Sequence, residues 1–124
     1  MEMNTFSWIE IPVLNMTRAI TFYEKVLEIK IDLKDFGDVK MGWFPSKGEA
    51  YGATGTLIQN NNYKPSENGA LVYFASQDLQ KELDNVEEAG GKILKEKTQI
   101  SPDHGYMAVI LDTEGNRVAL NSRS

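Results

Sequence analysis

An internal repeat restricts this chain more than any other feature. A shift of 63 positions carries Met16, Ile20, Tyr23, Val26 and Ile29 onto Leu79, Leu83, Val86, Ala89 and Lys92, and four of the five partners are apolar. Half of a 124-residue chain would bury only a marginal core alone. A repeat at half the chain length therefore points to two copies of one module that share a core.

The order of elements around the stripes supports this reading. Thr5 to Val13 is rich in Phe, Trp, Ile and Val and reads as a strand, with Pro12 near its end, where the missing N–H does little harm. Asn15 is placed to cap a helix whose stripe runs from Met16 to Leu27. Ile29, Ile31 and Leu33 alternate with Lys30, Asp32 and Lys34, the period of a half-buried strand. Gly37-Asp38 turns the chain, Val39 to Phe44 is a strand, residues 45–54 form a loop, and Gly55 to Asn60 is a fourth strand. After a linker of Asn, Pro and Ser the order recurs. Gly69 to Ala75 is a strand, Ser76 a cap, and Leu79 to Ala89 a helix stopped by Gly90-Gly91. Lys92 to Lys97, Gly105 to Leu111 and Arg117 to Asn121 are the last strands, with DTEGN as a turn. Both halves read β-α-β-β-β, giving an α+β domain over residues 1–124 built of modules 5–60 and 69–121.

Composition excludes several chemistries. There is no cysteine, so there is no disulfide, thiolate metal site or cysteine nucleophile. One histidine rules out any site needing two imidazoles from one chain. A net charge of −5 without a basic run argues against nucleic acid. No apolar run reaches the roughly 18 residues of a membrane span, and MEMNTFSWIE shows no secretory pattern. These features predict a cytoplasmic protein with neither nucleic-acid nor membrane partners.

Strand parity selects the candidate site. Ile9, Ile11 and Val13 share the face expected to pack on the helices, which leaves Trp8 and Glu10 on the other. In the last strand Val118 and Leu120 alternate with Arg117, Ala119 and Asn121. If both second faces line one concavity, it holds an indole, a carboxylate, a guanidinium and an amide, a lining suited to a mixed polar and aromatic ligand. Glu10 is then the candidate general base, against the alternatives of a solvated carboxylate or a partner for Arg117. His104, in the polar stretch SPDHGY, reads as neither base nor ligand, because no spacing supplies an orienting partner. DTEGN lacks the alternating ligands of a calcium loop, and GATG is not a phosphate loop.

These residues carry a resemblance. WIEIPVLNMTRAITFYEKVLEI resembles the opening strand and helix of the vicinal oxygen chelate superfamily, the glyoxalase, bleomycin-resistance and extradiol dioxygenase group. YKPSENGALVYF, VEEAGGKIL and GYMAVILDTEGNRVALNS resemble its second module, and the whole is most similar to proteins related to lactoylglutathione lyase. The resemblance implies a glyoxalase-like fold, with paired modules forming a curved mixed sheet around a cavity. It also implies a divalent metal held by His, Glu or Gln at four strand positions. Those positions fall here on Trp8, Leu57 or Gln59, Ala70 and Ala119, of which only Gln59 is a donor. The expectation is thus a protein without a metal cofactor that binds a small molecule through Trp8, Glu10, Gln59, Arg117 and Asn121. The alternative is a lyase or isomerase using Glu10 as base, or a metal site displaced to include Glu10 and Asn121. A homodimer is expected, because an open sheet face leaves Trp43, Phe44 and Phe74 in need of cover.

Overall fold

The computed structural model describes residues 3–50 and 52–124. Met1, Glu2 and Tyr51 lie outside the described residues, so the expected domain and the 45–54 loop are followed at their other positions. The first module runs β1 (Trp8–Pro12), α1 (Met16–Leu27), β2 (Asp32–Asp35), β3 (Lys40–Trp43) and β4 (Thr54–Gln59). The second runs β5 (Val72–Ala75), α2 (Leu79–Val86), β6 (Lys92–Ser101), β7 (Gly105–Leu111) and β8 (Arg117–Ser122). Both follow the β-α-β-β-β order.

Each module makes its own four-stranded mixed sheet, in the orders β1-β4-β3-β2 and β5-β8-β7-β6. In each the first strand is an edge that pairs in parallel with the last, and the remaining pairs are antiparallel. The parallel register Trp8↔Thr54 explains why β1 begins at Trp8 and not at Thr5: β4 offers no partner earlier. β6 runs on to Ser101, past the expected Lys97. Three register shifts against β7 fit its ten residues to a seven-residue neighbour.

The helices lie against each other and against their own sheets. They close one core from both modules, in which Tyr23, Phe22, Leu57, Leu79, Leu83, Ile110 and Leu120 are fully buried. Asn15 caps α1, its side chain accepting from the Arg18 N–H. At α2 the cap is Asp78 rather than Ser76: Asp78 accepts from the Gln80 N–H, and the Ser76 hydroxyl donates to Glu82 at 2.8 Å. Asp78 holds the extended backbone a cap requires (φ −139° would be its counterpart at Asn15; here φ is −147°). α2 ends at Val86, and Ala89 belongs to the turn that follows. The Gly91 N–H reaches back to the Val86 carbonyl across Gly90, whose φ of +105° only glycine adopts freely. α1 ends without a glycine, on Glu28 at φ +54°.

Candidate functional site

The two modules are joined where the β7–β8 turn meets the start of α1. Asp112, Glu114 and Asn116 of this turn are all buried. Glu114 Oε1 accepts from the Leu14 and Asn15 amides, both at 2.8 Å. The Arg18 Nε donates to Oε2 at 2.7 Å, and the Thr113 hydroxyl donates to the same oxygen. A carboxylate from one module thus satisfies amides at the N-terminus of the other module's helix. Burial works against its ionised form, but Arg18, the two amides and Thr113 outweigh that and hold the carboxyl below its ordinary range. Asn116 donates to the Pro12 carbonyl and to Asp112, and Tyr23 donates to Asp112 at 2.6 Å. The stretch read as a plain turn is therefore the polar clamp between the modules.

A cavity of about 430 Å³ is lined by residues of both edge strands, β1 and β5. Its apolar wall includes Ile9, Ile11, Leu27, Ile29, Phe44 and Phe74. Phe44 and Phe74 pack on each other at 5.7 Å between ring centres and on Tyr23 at 5.9 and 5.5 Å, so both are anchored in the core. Both remain partly exposed to the cavity. The polar lining is Thr54, Thr56, Tyr73, Glu82 and Asn121. A smaller polar cleft containing His104 adjoins it and shares Ala75 and Asn121. The His104 Nδ1 lies 2.7 Å from the Ser101 hydroxyl.

Of the residues singled out by parity, Asn121 lines the cavity and the others do not. The structure does not gather them into one concavity. Trp8 meets Trp43 edge to face at 5.3 Å on the open face of the first sheet, with Lys34 over the Trp43 ring. Glu10 is exposed on that same face, and no ion pair joins it to Arg117 among the described residues. Gln59 Oε1 accepts the Met16 N–H at 2.8 Å and so helps cap α1. Arg117 approaches the Gly69 carbonyl at 3.4 Å, and its Nε is buried without a partner. The cavity lies on the Ile9 and Ile11 side of β1, the side expected only to pack. Glu82 was legible merely as a polar position on a helix. The missed signal was its place one turn from Leu79 and next to Leu83, at the margin of the buried stripe.

The positions at which the resemblance implies metal ligands do not suit a divalent ion. Leu57 is fully buried in the core, Gln59 is committed to α1, Ala70 precedes β5, and Trp8 and Ala119 offer no donor. Thr54 and Thr56 stand beside Trp8 and Glu10 in the register, but their hydroxyls point their protons at backbone carbonyls. Among the described residues no three His, Asp or Glu side chains converge as a metal site would need.

Comparison with known proteins agrees with this architecture. The model of the Glyoxalase/Bleomycin resistance protein/Dioxygenase superfamily matches residues 5–120. A glyoxylase-like domain-containing protein of Didymella fabae is 29% identical over 120 residues, covering 94% of this chain and 92% of that one. Glyoxalase I of Zea mays superposes with a TM-score of 0.71 at 25% identity, over 94% of this chain but only 45% of the maize enzyme. This chain therefore spans about half the length of the maize protein. TnmS3, an antibiotic binding protein from Streptomyces sp. CB03234, superposes with a TM-score of 0.68 at 18% identity, over 100% of this chain and 99% of that one.

Proposed function

The chain belongs to the Glyoxalase/Bleomycin resistance protein/Dioxygenase superfamily, and from that premise we propose that it binds a small organic molecule in the cavity between its two modules, without a divalent metal. The observation that carries this reading is the 430 Å³ cavity itself. Its volume lies in the range of small-molecule sites, and its wall is mainly apolar with a few polar groups. The donor-poor side chains at the expected ligand positions support the metal-free part. TnmS3, whose fold is similar over its whole length, is an antibiotic binding protein; sequestration of a small molecule is the corresponding role proposed here. In this reading Asn121 touches the ligand, and Glu10 lies outside the cavity.

The test is a thermal-shift screen of the purified, tag-free protein against a small-molecule library and against nickel, zinc and iron(II), together with elemental analysis. Stabilisation by organic compounds, lost when Ala75→Phe fills the cavity, is the expected result. A metal present at one ion per chain, or metal-dependent stabilisation lost in Glu10→Gln, would replace this reading with the lyase or isomerase alternative. A homodimer is part of the proposal, because Trp8 and Trp43 remain 40% and 39% exposed on an open sheet face. Sedimentation at 13.9 kDa would refute it.

A further inference from the structure

The cavity pairs a carboxylate with few hydrogen-bond donors. Thr54 spends its hydroxyl proton on the Pro45 carbonyl at 2.7 Å. Thr56 spends its own between the Gly42 and Leu57 carbonyls. A hydroxyl has one proton, so neither threonine has one left to donate to a ligand, and Thr56 is fully buried. The Asn121 side-chain nitrogen donates to the Tyr106 carbonyl at 2.8 Å. A carbonyl only accepts, which fixes the amide's orientation and leaves its oxygen without a partner among the described residues. Glu82 receives the Ser76 hydroxyl on Oε2, and its other oxygen makes no hydrogen bond among the described residues.

Charge points the same way. Glu82 is partly buried at the cavity wall, and no lysine, arginine or histidine lines the cavity. None pairs with Glu82 among the described residues; the neighbouring Lys81 is engaged with Glu28 at 3.0 Å. A carboxylate beside apolar surface gains most from a partner that brings both positive charge and N–H donors. Phe44 and Phe74 add aromatic surface that favours a flat or cationic ligand.

We propose that the cavity selects an organic ammonium ion, an apolar or aromatic body carrying a primary amine, with Glu82 as its counter-ion and the Asn121 oxygen as a further acceptor. This rests on the cavity being the binding site. Carboxylates of the same body are disfavoured, since they would set a second anion against Glu82 and find side-chain donors only in the Tyr73 hydroxyl and the second Asn121 N–H.

The test is calorimetric titration with naphthylmethylamine, naphthylmethanol and naphthoate, which share one ring system and differ in the polar group. The amine should bind the wild-type protein at least about tenfold more tightly than the alcohol, a difference of about 1.4 kcal/mol, and naphthoate should bind least. Glu82→Gln should bring amine and alcohol to equal affinity while leaving the alcohol unchanged. Ser76→Ala, which keeps the carboxylate, should retain the preference. Wild-type selectivity is read without any variant, so poor folding of Glu82→Gln would not remove the test. Equal or tighter binding of the alcohol or naphthoate, lost in Ala75→Phe, would overturn the ammonium assignment and leave the cavity as the site. An amine preference that survives in Glu82→Gln would overturn the role of Glu82. Binding of none of the three up to about 1 mM, or binding indifferent to Ala75→Phe, would overturn both the assignment and the cavity reading.

Discussion

Removing the Glu114 carboxylate should be among the most damaging single changes in the chain. The Glu114 side chain is fully shielded from solvent, whereas Arg18 is 49% exposed. The Arg18 ion pair is therefore screened and contributes at most about 1 kcal/mol. The two amide bonds at 2.8 Å dominate, because hydrogen bonds to a charged group are worth about 1.5–3 kcal/mol each and do not add fully. Glu114→Ala strands the Leu14 and Asn15 amides at the module junction. It should cost about 2–3 kcal/mol, because what remains is two unpaired amides and an exposed guanidinium rather than a buried charge. Glu114→Gln keeps a carbonyl oxygen for the amides and should cost about 1–2 kcal/mol. Arg18→Ala should cost no more than about 1 kcal/mol. Urea unfolding followed by circular dichroism measures all three. The pH dependence supplies a second reading. The folded-state pKa of Glu114 lies below its unfolded value, about 4.3 for a glutamate. Its contribution is therefore complete above that unfolded value and is lost as pH falls through the folded one. Glu114→Gln should flatten this acid limb. A loss below about 1 kcal/mol in Glu114→Ala, or an unchanged acid limb in Glu114→Gln, would refute the clamp.

Tyr23→Phe removes a buried hydroxyl that donates to Asp112 at 2.6 Å; it should cost about 1.5–3 kcal/mol in urea unfolding, and a change under about 0.5 kcal/mol would contradict the network. Burial first, then the Asp112 charge, pushes the Tyr23 phenol well above its ordinary value, so stability from it is present below about pH 10 and lost as pH rises beyond; absorbance at 295 nm should show one tyrosine resisting ionisation until the chain unfolds. Glu28→Gly relieves a left-handed residue at φ +54° and forfeits only the exposed Lys81 pair, so thermal denaturation should show a gain of about 0.5–1 kcal/mol. Glu10→Gln should change stability by no more than about 0.5 kcal/mol and leave ligand affinity unaltered; weakened binding would return Glu10 to the site.

The two modules are written in local patterns of the chain. The 3.6-residue stripe from Met16 to Val26 and its copy from Leu79 to Val86 are local patterns, and local sterics and capping carry them into helices at those positions. Alternation also placed Ile11 and Val118 in the core and Trp8 and Glu10 on an outward face. Parity says which face a side chain takes, but not what lies opposite that face. Only the docking of the two modules brought β1 and β5 to one cavity, so that Ile9 and Ile11 became its wall and Glu82, a residue of α2, joined them. Gln59 and Glu114 show the same limit. Each is a polar side chain whose role is fixed by a backbone amide far away in sequence, at Met16 for one and at Leu14 and Asn15 for the other. Unpaired amides at a helix start accept whichever acceptor the packing of the other module delivers, and that delivery depends on the docking of the two halves rather than on any local pattern.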